Sequence, residues 1–291
     1  MQDIRMETFI AVCDHMNFTH AAEYLNMTQP AVSRQMKSLE EYYGVNLFRY
    51  EGKKMYLTEA GKKLCRSAKT AKADEIRLIN EMRNTDNIKL CFGSTPTPGE
   101  FMLPQILSKY LKKYPFSEVN MIINNTVSLL SKLDNGEIDF AIVEGNFPKK
   151  DYEYMKFSTQ KYFPVCSSNF DIEIKTIECL TDLTLILRET GSGNREILEH
   201  SLKRHNISVS DFKNKIEINN INVQKALVEK GCGIAFLFEA VVKDEISKGI
   251  LKEIKVEGFP LFHEINFVWR KNSIFNDDYY KIGEFFNSLN I

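Results

Sequence analysis

Three short loops carry the side chains with most chemistry to offer: Ser94-Thr95-Pro96-Thr97, Asn125-Thr126 and Thr190-Gly191-Ser192-Gly193. Each stands where an apolar, strand-like run gives way to a helical pattern. Hydroxyls and unpaired backbone amides at a helix start attract anions, because the positive end of the helix dipole lies there. In open α/β sheets the crevice beyond the strand ends is where ligands bind. One such loop is an ordinary cap for its own helix. Three of them, two from one half of a domain and one from the other, point to a cleft. Its candidate ligand contacts are Ser94, Thr95, Thr97, Thr126, Thr190 and Ser192. Neutral donors of this kind can hold an oxyanion with no side-chain cation required. The loops contain no histidine, cysteine or lysine, so no catalytic residue is expected and an enzyme built on this half is disfavoured. Gly191-Ser192-Gly193 is no phosphate loop, because no Lys-Ser or Lys-Thr follows it.

A second set of residues lies near the N-terminus. Thr28 to Gly44 reads as a helix with both ends written in: the Thr28 hydroxyl as N-cap, Pro30 in the first turn and Gly44 as a left-handed stop. Val32, Met36 and Leu39 recur at helical spacing and predict a buried stripe. Gln29, Ser33, Arg34 and Lys37 fall on other faces, with the amide, hydroxyl and cationic groups that read base edges and grip phosphates. Ahead of this helix, Asp3 to Met16 predicts a first helix with Met6, Phe9, Ile10 and Cys13 on one face. Thr19 is expected to cap a short second helix, His20 to Leu25. Its Ala21 and Ala22 are small enough for the close crossing that a helix-turn-helix needs. Beyond Gly44, two extended runs flank Glu51-Gly52-Lys53-Lys54 and read as a hairpin wing tipped with cations.

In this order the residues resemble the LysR-type transcriptional regulators. The matching signature is Phe18-Thr19-His20-Ala21-Ala22, Leu25, Thr28-Gln29-Pro30-Ala31-Val32-Ser33, Leu39-Glu40, Gly44, Leu47-Phe48 and Leu57-Thr58-Glu59-Ala60-Gly61. One departure stands out: the family often has an arginine two positions after the Leu-Phe pair, where this chain has Tyr50 and carries Arg49 one position early. The resemblance implies an α/β protein in three parts: a winged helix-turn-helix over 1–58, a linker and dimerisation helix over 59–86, and an effector-binding domain over 87–291. The last is similar to periplasmic solute-binding proteins, with subdomain I about 87–161 and 266–291 and subdomain II about 162–265. Double-stranded DNA with an interrupted dyad is the implied partner, contacted through Thr28, Gln29, Pro30, Ser33, Arg34, Lys37, Arg49, Lys53 and Lys54. A small anionic effector, a homodimer or homotetramer and RNA polymerase complete the implied partners. A DNA-binding protein with no small-molecule effector is the alternative. The runs Ile142-Val143-Glu144-Gly145 and Leu187-Arg188-Glu189 look like a branch linked to sulfur assimilation and cysteine synthesis.

The remaining pattern fits these parts. Thr58 to about Asn84 is charged, alanine-rich and free of proline. Leu64, Ala68, Ala71, Leu78 and Met82 form a narrow apolar stripe, with Glu75 interrupting it, and so narrow a stripe needs a partner helix. Asn84 to Asn87 marks a boundary, after which strands and helices alternate. Strands are predicted at Ile88–Gly93, Val119–Asn124, Ile138–Val143, Leu183–Leu187, Lys215–Ile218, Gly233–Phe238 and Ile265–Trp269. Helices are predicted at Glu100–Tyr114, Asn125–Leu133, Thr190–Lys203, Val223–Glu229 and Tyr279–Leu289. Two such cycles imply two subdomains, with the last strand and helix returning to the first. The 291 residues hold 38 basic and 39 acidic side chains, so attraction to DNA must come from local placement of cations. No run of about twenty apolar residues and no basic-then-apolar start is present, which predicts a cytoplasmic protein with no membrane partner. Six dispersed cysteines predict reduced, buried thiols, with no metal and no cofactor; a Cys166/Cys179 redox pair is conceivable.

Overall fold

The fold is taken from a computed structural model, which describes residues 3–52, 54–83, 89–170, 174 and 176–289. Two compact units make up the chain, one carrying the elements up to Arg83 and the other most of Lys89–Leu289.

In the first unit α1 (Ile4–His15), α2 (Phe18–Tyr24) and α3 (Gln29–Tyr43) pack around Phe9, Val12, Ala21, Ala22, Val32, Met36 and Leu39. The two alanines let α1, α2 and α3 meet closely; burial of the larger side chains stabilises the unit by about 1.5–3 kcal/mol each. Two caps differ from the sequence expectation. Asn17, not Thr19, caps α2: its Oδ1 accepts from the amides of Thr19 (2.8 Å) and His20 (3.2 Å). Thr28 sits at the N-cap of α3 in extended backbone, but its hydroxyl makes no cap bond. Its carbonyl accepts from Ala31 and Val32 instead. Strands β1 (Phe48–Glu51) and β2 (Lys54–Leu57) pair antiparallel to form the wing. The wing is tied to α3 by Glu40, whose Oε1 accepts from the Leu47 amide at 2.7 Å. Helix α4 (Glu59–Arg83) follows. Its expected stripe divides. Ala68 is buried and Leu64 half-buried, Ala71 is exposed, and the C-terminal half shows Ile76, Leu78, Ile79 and Met82, the last 71 % exposed. The expected boundary, Asn84 to Asn87, and the first residue of the next strand, Ile88, lie outside the described residues.

The second unit begins with β3 (Lys89–Ser94), α5 (Pro96–Phe101), α6 (Leu103–Lys113), β4 (Glu118–Ile123), α7 (Thr126–Asp134) and β5 (Phe140–Val143). The single helix expected over Glu100–Tyr114 is therefore two, broken at Met102, and the first starts earlier, at Pro96. Strand β6 (Tyr152–Ser167) then leads to β7 (Thr184–Leu187), α8 (Gly193–Arg204), β8 (Asn214–Glu217) and α9 (Ile221–Glu229). The chain closes with β9 (Ala235–Phe238), α10 (Glu239–Ser247), β10 (Leu251–Glu253), β11 (Leu261–Arg270) and α11 (Asn276–Leu289). β6, α10 and β10 are absent from the sequence reading.

Strands β4, β3 and β5 are parallel, and β11 joins β5 antiparallel, returning the chain to subdomain I. Phe92, Phe140 and Phe267 stack there beneath Phe286 of α11. The first part of β6 pairs with β11, while its last residues pair with β9 and β10. Those last residues belong to a separate core around Leu185, Ile186, Leu198, Phe236 and Phe238, that of subdomain II. The two long strands therefore join the subdomains, and their register shifts between Ile265 and Asn266. The sheet is mixed, not mostly parallel.

Candidate functional site

On α3 the polar residues named from sequence stand outward. Thr28, Gln29, Pro30, Arg34 and Lys37 are exposed and Ser33 is half-buried. They interact only loosely among themselves: Gln29 Nε2 donates to Ser33 Oγ at 2.9 Å, Arg34 Nε to the Pro30 carbonyl at 3.3 Å, and Lys37 lies 4.0 Å from Glu41. On the wing, Arg49 pairs with Glu51 and lies over the Tyr56 ring at 5.1 Å from its centroid, and Lys54 is exposed. Lys53 lies outside the described residues. Between the starts of α2 and α3 and the wing is an open concavity of about 680 Å³ lined by Asn17, Thr19, Gln29, Lys54 and Tyr56 among others. Asn17 and Tyr56 were not legible as site residues, because one reads as a helix cap and the other as a strand residue.

In the second unit the three hydroxyl loops come to the ends of β3, β4 and β7, but their side chains differ in what they have left to give. Ser94, Thr95, Thr97, Thr126 and Ser192 are all buried. Thr190 is exposed. Ser94 Oγ donates to the carbonyl of Thr95 (3.0 Å) or Ile142 (3.3 Å). Thr126 Oγ1 donates to the Glu144 carbonyl at 3.0 Å. Both hydroxyl protons are thereby committed to the backbone around β5, so these two groups offer lone pairs, not the donors expected. Thr95 Oγ1 accepts from the Glu144 amide at 3.1 Å and keeps its own proton free. Thr97 Oγ1 has no hydrogen-bond partner. Asn125, one residue before Thr126, caps α7 by accepting from the Ser128 amide. Ser192 occupies the N-cap of α8, where its carbonyl accepts from the Glu196 amide but its hydroxyl makes no cap bond.

Two charged residues that the loops did not contain enter the same place. Glu144 follows the all-buried run of β5, and Arg188 follows Leu185, Ile186 and Leu187, the buried part of β7; they are 1 % and 2 % exposed. Glu144 Oε2 has no partner, and burial pushes its carboxyl up to about 7. The Thr97 hydroxyl and the Arg188 guanidinium oppose that rise, and Glu100 adds to it. Arg188 pairs with Glu189 through Nε (2.8 Å) and Nη2 (3.0 Å), and Nη2 also donates to the Asn219 carbonyl. Its Nη1 is buried without a partner, as is Asn194 Nδ2 at the start of α8. The Tyr162 hydroxyl donates to the Asn194 carbonyl at 3.1 Å, and burial with Glu144 nearby raises its phenol well above the usual range. The expectation of a purely neutral cage is corrected: a guanidinium and a carboxyl face it. The missed signal was positional, a charge directly after a run of buried apolar strand residues.

The subdomains close on this place. A Cβ on Gly145 would stand 2.7 Å from the Gly193 Cα, and one on Gly193 would stand 2.6 Å from the Glu144 carbonyl oxygen. Asn222 of α9 donates to Glu100 of α5 across the same divide.

The cysteine pair also differs from expectation. Cys166 is buried in β6 and Cys179 exposed, each as a free thiol. The thiols that meet are Cys13 of α1 and Cys65 of α4.

Comparison with known proteins adds two family matches. Residues 5–62 match the bacterial regulatory helix-turn-helix protein family of lysR type, and residues 84–274 match the LysR substrate binding domain. The chain is 29 % identical over 272 residues to a probable RuBisCO transcriptional regulator of Chlorokybus atmophyticus, covering 90 % of this chain and 87 % of that one. The full-length regulator LysG of Corynebacterium glutamicum, with bound effector Arg, superposes with a TM-score of 0.66 at 13 % identity, covering 100 % and 98 % of the two chains. The regulatory domain of Synechocystis PCC6803 CcmR in complex with 2-PG gives 0.62 at 20 % identity, covering 70 % of this chain and 98 % of that one.

Proposed function

The chain belongs to the LysR family of DNA-binding transcriptional regulators, and on that premise we propose that it switches transcription when a small polar effector, bearing an oxyanion, enters the cleft between its subdomains. It is a regulator and not an enzyme. The observation that carries the effector reading is the set of buried polar atoms without partners: Thr97 Oγ1, Glu144 Oε2, Arg188 Nη1 and Asn194 Nδ2. Burying such atoms unbonded is costly, and folded proteins seldom do so without a purpose. Thr95 and Thr97 are the hydroxyls with protons to give, and Ser192 and Thr190 are the candidate contacts from subdomain II. Ser94 and Thr126 act as braces for the end of β5. LysG holds arginine and CcmR holds 2-PG in structures of the same fold, which supports a small polar ligand here.

On the DNA side, Gln29, Ser33 and Arg34 read base edges in the major groove. Thr28, Lys37, Arg49, Lys53 and Lys54 grip phosphates. The exposed apolar residues of α4, Ile76, Ile79 and Met82, pair with their copies in a homodimer, which can pair again as a tetramer. Two recognition helices then meet half-sites of an interrupted dyad in the cytoplasm, where RNA polymerase is the responding partner. A thermal-shift series on the full chain with small oxyanions and amino-acid derivatives tests the effector reading. At least one class should raise the midpoint in wild type and lose that effect in Thr97→Val. A panel with no response in wild type leaves a DNA-binding protein without effector.

A further inference from the structure

Two opposite charges face the cleft without satisfying one another. Arg188 gives its Nε and Nη2 to Glu189 and Asn219, so its ion pair is made with a neighbour in its own subdomain. Nη1, which carries two N–H groups, is left over. Glu144, from the other subdomain, is close enough to feel that guanidinium yet keeps Oε2 unbonded. An Arg–carboxylate pair in direct contact would have used both atoms, and here neither is used.

The charge balance then discriminates among ligands. Arg188 is already neutralised by Glu189, and Glu100 stands near Glu144. With Glu144 ionised, the cleft has an excess of negative charge. A simple dianion would bring two more negative charges to a buried carboxylate, which low dielectric makes costly. A simple amine would leave Arg188 Nη1 facing nothing it can donate to. The two N–H groups of Nη1 and the free Thr95 and Thr97 hydroxyls suit a carboxylate, whose two oxygens accept several donors.

Resting on the cleft reading above, the geometry points to an amphoteric ligand, an amino acid or close derivative, whose ammonium meets Glu144 and whose carboxylate meets Arg188 Nη1 and Thr97. The ligand thus completes the ion pair that Glu144 and Arg188 leave open, and it bridges the two subdomains in doing so. Its differential affinity for the closed arrangement is the source of any switching.

Isothermal titration of the full chain with each of the twenty standard amino acids, and with the matching carboxylic acids in which hydrogen replaces the amine, tests this. At least one amino acid should bind, and its des-amino partner should bind roughly tenfold to a hundredfold more weakly, the worth of one charge-assisted bond. Glu144→Gln, close to the same shape, should shrink that gap to about twofold or less. Because the wild-type panel alone measures the gap, the result stands even where the variant folds poorly. Equal affinity of des-amino and amino compounds overturns the inference and leaves the cleft reading intact. Silence from every amino acid overturns the inference too, and silence from sulfate, phosphate and the carboxylic acids as well takes the cleft reading with it.

Discussion

On the outer face of α3, Gln29, Arg34 and Lys37 stand in water and bond loosely to their own helix. In the cleft, Thr97, Glu144 and Arg188 are buried and each keeps an atom unbonded. The two regions use similar chemical groups under opposite dielectric conditions. Exposed groups cost little to hold ready, and their attraction to phosphates is long-ranged but screened by salt. Buried ones have met their desolvation cost during folding, so each bond to a ligand counts for more and is scarcely screened. The DNA face should therefore respond to mutation in binding alone, and the cleft in binding and stability together.

The sharpest contrast is Arg188→Met. Removing the guanidinium strands Glu189 and leaves Glu144 without its opposing charge, which should cost about 3–5 kcal/mol of stability. Urea denaturation measures it; a loss within about 0.5 kcal/mol, the range of ordinary surface changes, would erase the distinction between the regions. Next is the pH dependence of Glu144. Its carboxyl holds a proton in the folded chain up to about 7, whereas the unfolded chain releases it near 4.5. The folded state thus binds more protons in that window, so stability falls as pH rises from about 4.5 to 7 and levels off above. Relative to Glu144→Gln, wild type should lose on the order of 3 kcal/mol across the window. Parallel pH curves for the two proteins would mean that the carboxyl is not neutral in the fold.

Arg34→Ala should leave unfolding unchanged within about 0.5 kcal/mol while weakening operator binding by roughly 1–3 kcal/mol and blurring one base preference. Gel-shift titration against single-base operator variants reads both, and an intact preference would move base reading elsewhere on α3. Smallest is Lys54→Ala. It should weaken all sequences about equally and reduce the slope of log affinity against log salt by about one. A sequence-dependent loss would place Lys54 on a base edge and not a phosphate.

The same contrast explains what the sequence could disclose. A surface site on one helix is written contiguously: Thr28 to Lys37 holds most of the residues proposed to face DNA, and periodicity separates them from Val32, Met36 and Leu39. The proposed cleft is assembled from the ends of β3, β4, β5 and β7, far apart in the chain, and hydroxyl loops were its visible part. Glu144 and Arg188 stood in runs that were read only for family likeness, because a charge after an apolar strand looks the same whether it faces solvent or a cavity. Hydrogen-bond direction was also out of reach. Nothing in the residue types tells that Thr126 spends its proton on Glu144 while Thr97 keeps its own. Helix caps failed for a related reason: Asn17 and Thr19 are both good caps, and tertiary packing chose between them. Long strands such as Tyr152–Ser167 change core halfway, so their alternation shifts with them and no single period marks them.

The facing glycines at 145 and 193 set a tolerance for the whole sensor. Backbone atoms, not pliant side chains, stand where a methyl would go, so one added carbon at either position acts as a shim that only a parting of the lobes can accommodate. β6 and β11 join those lobes, so a shim of one atom at either glycine should tilt one lobe against the other, pressing on the Glu144 backbone from the Gly193 side. On the proposed reading, the thickness of a missing carbon would thus set the threshold at which the sensor answers its ligand.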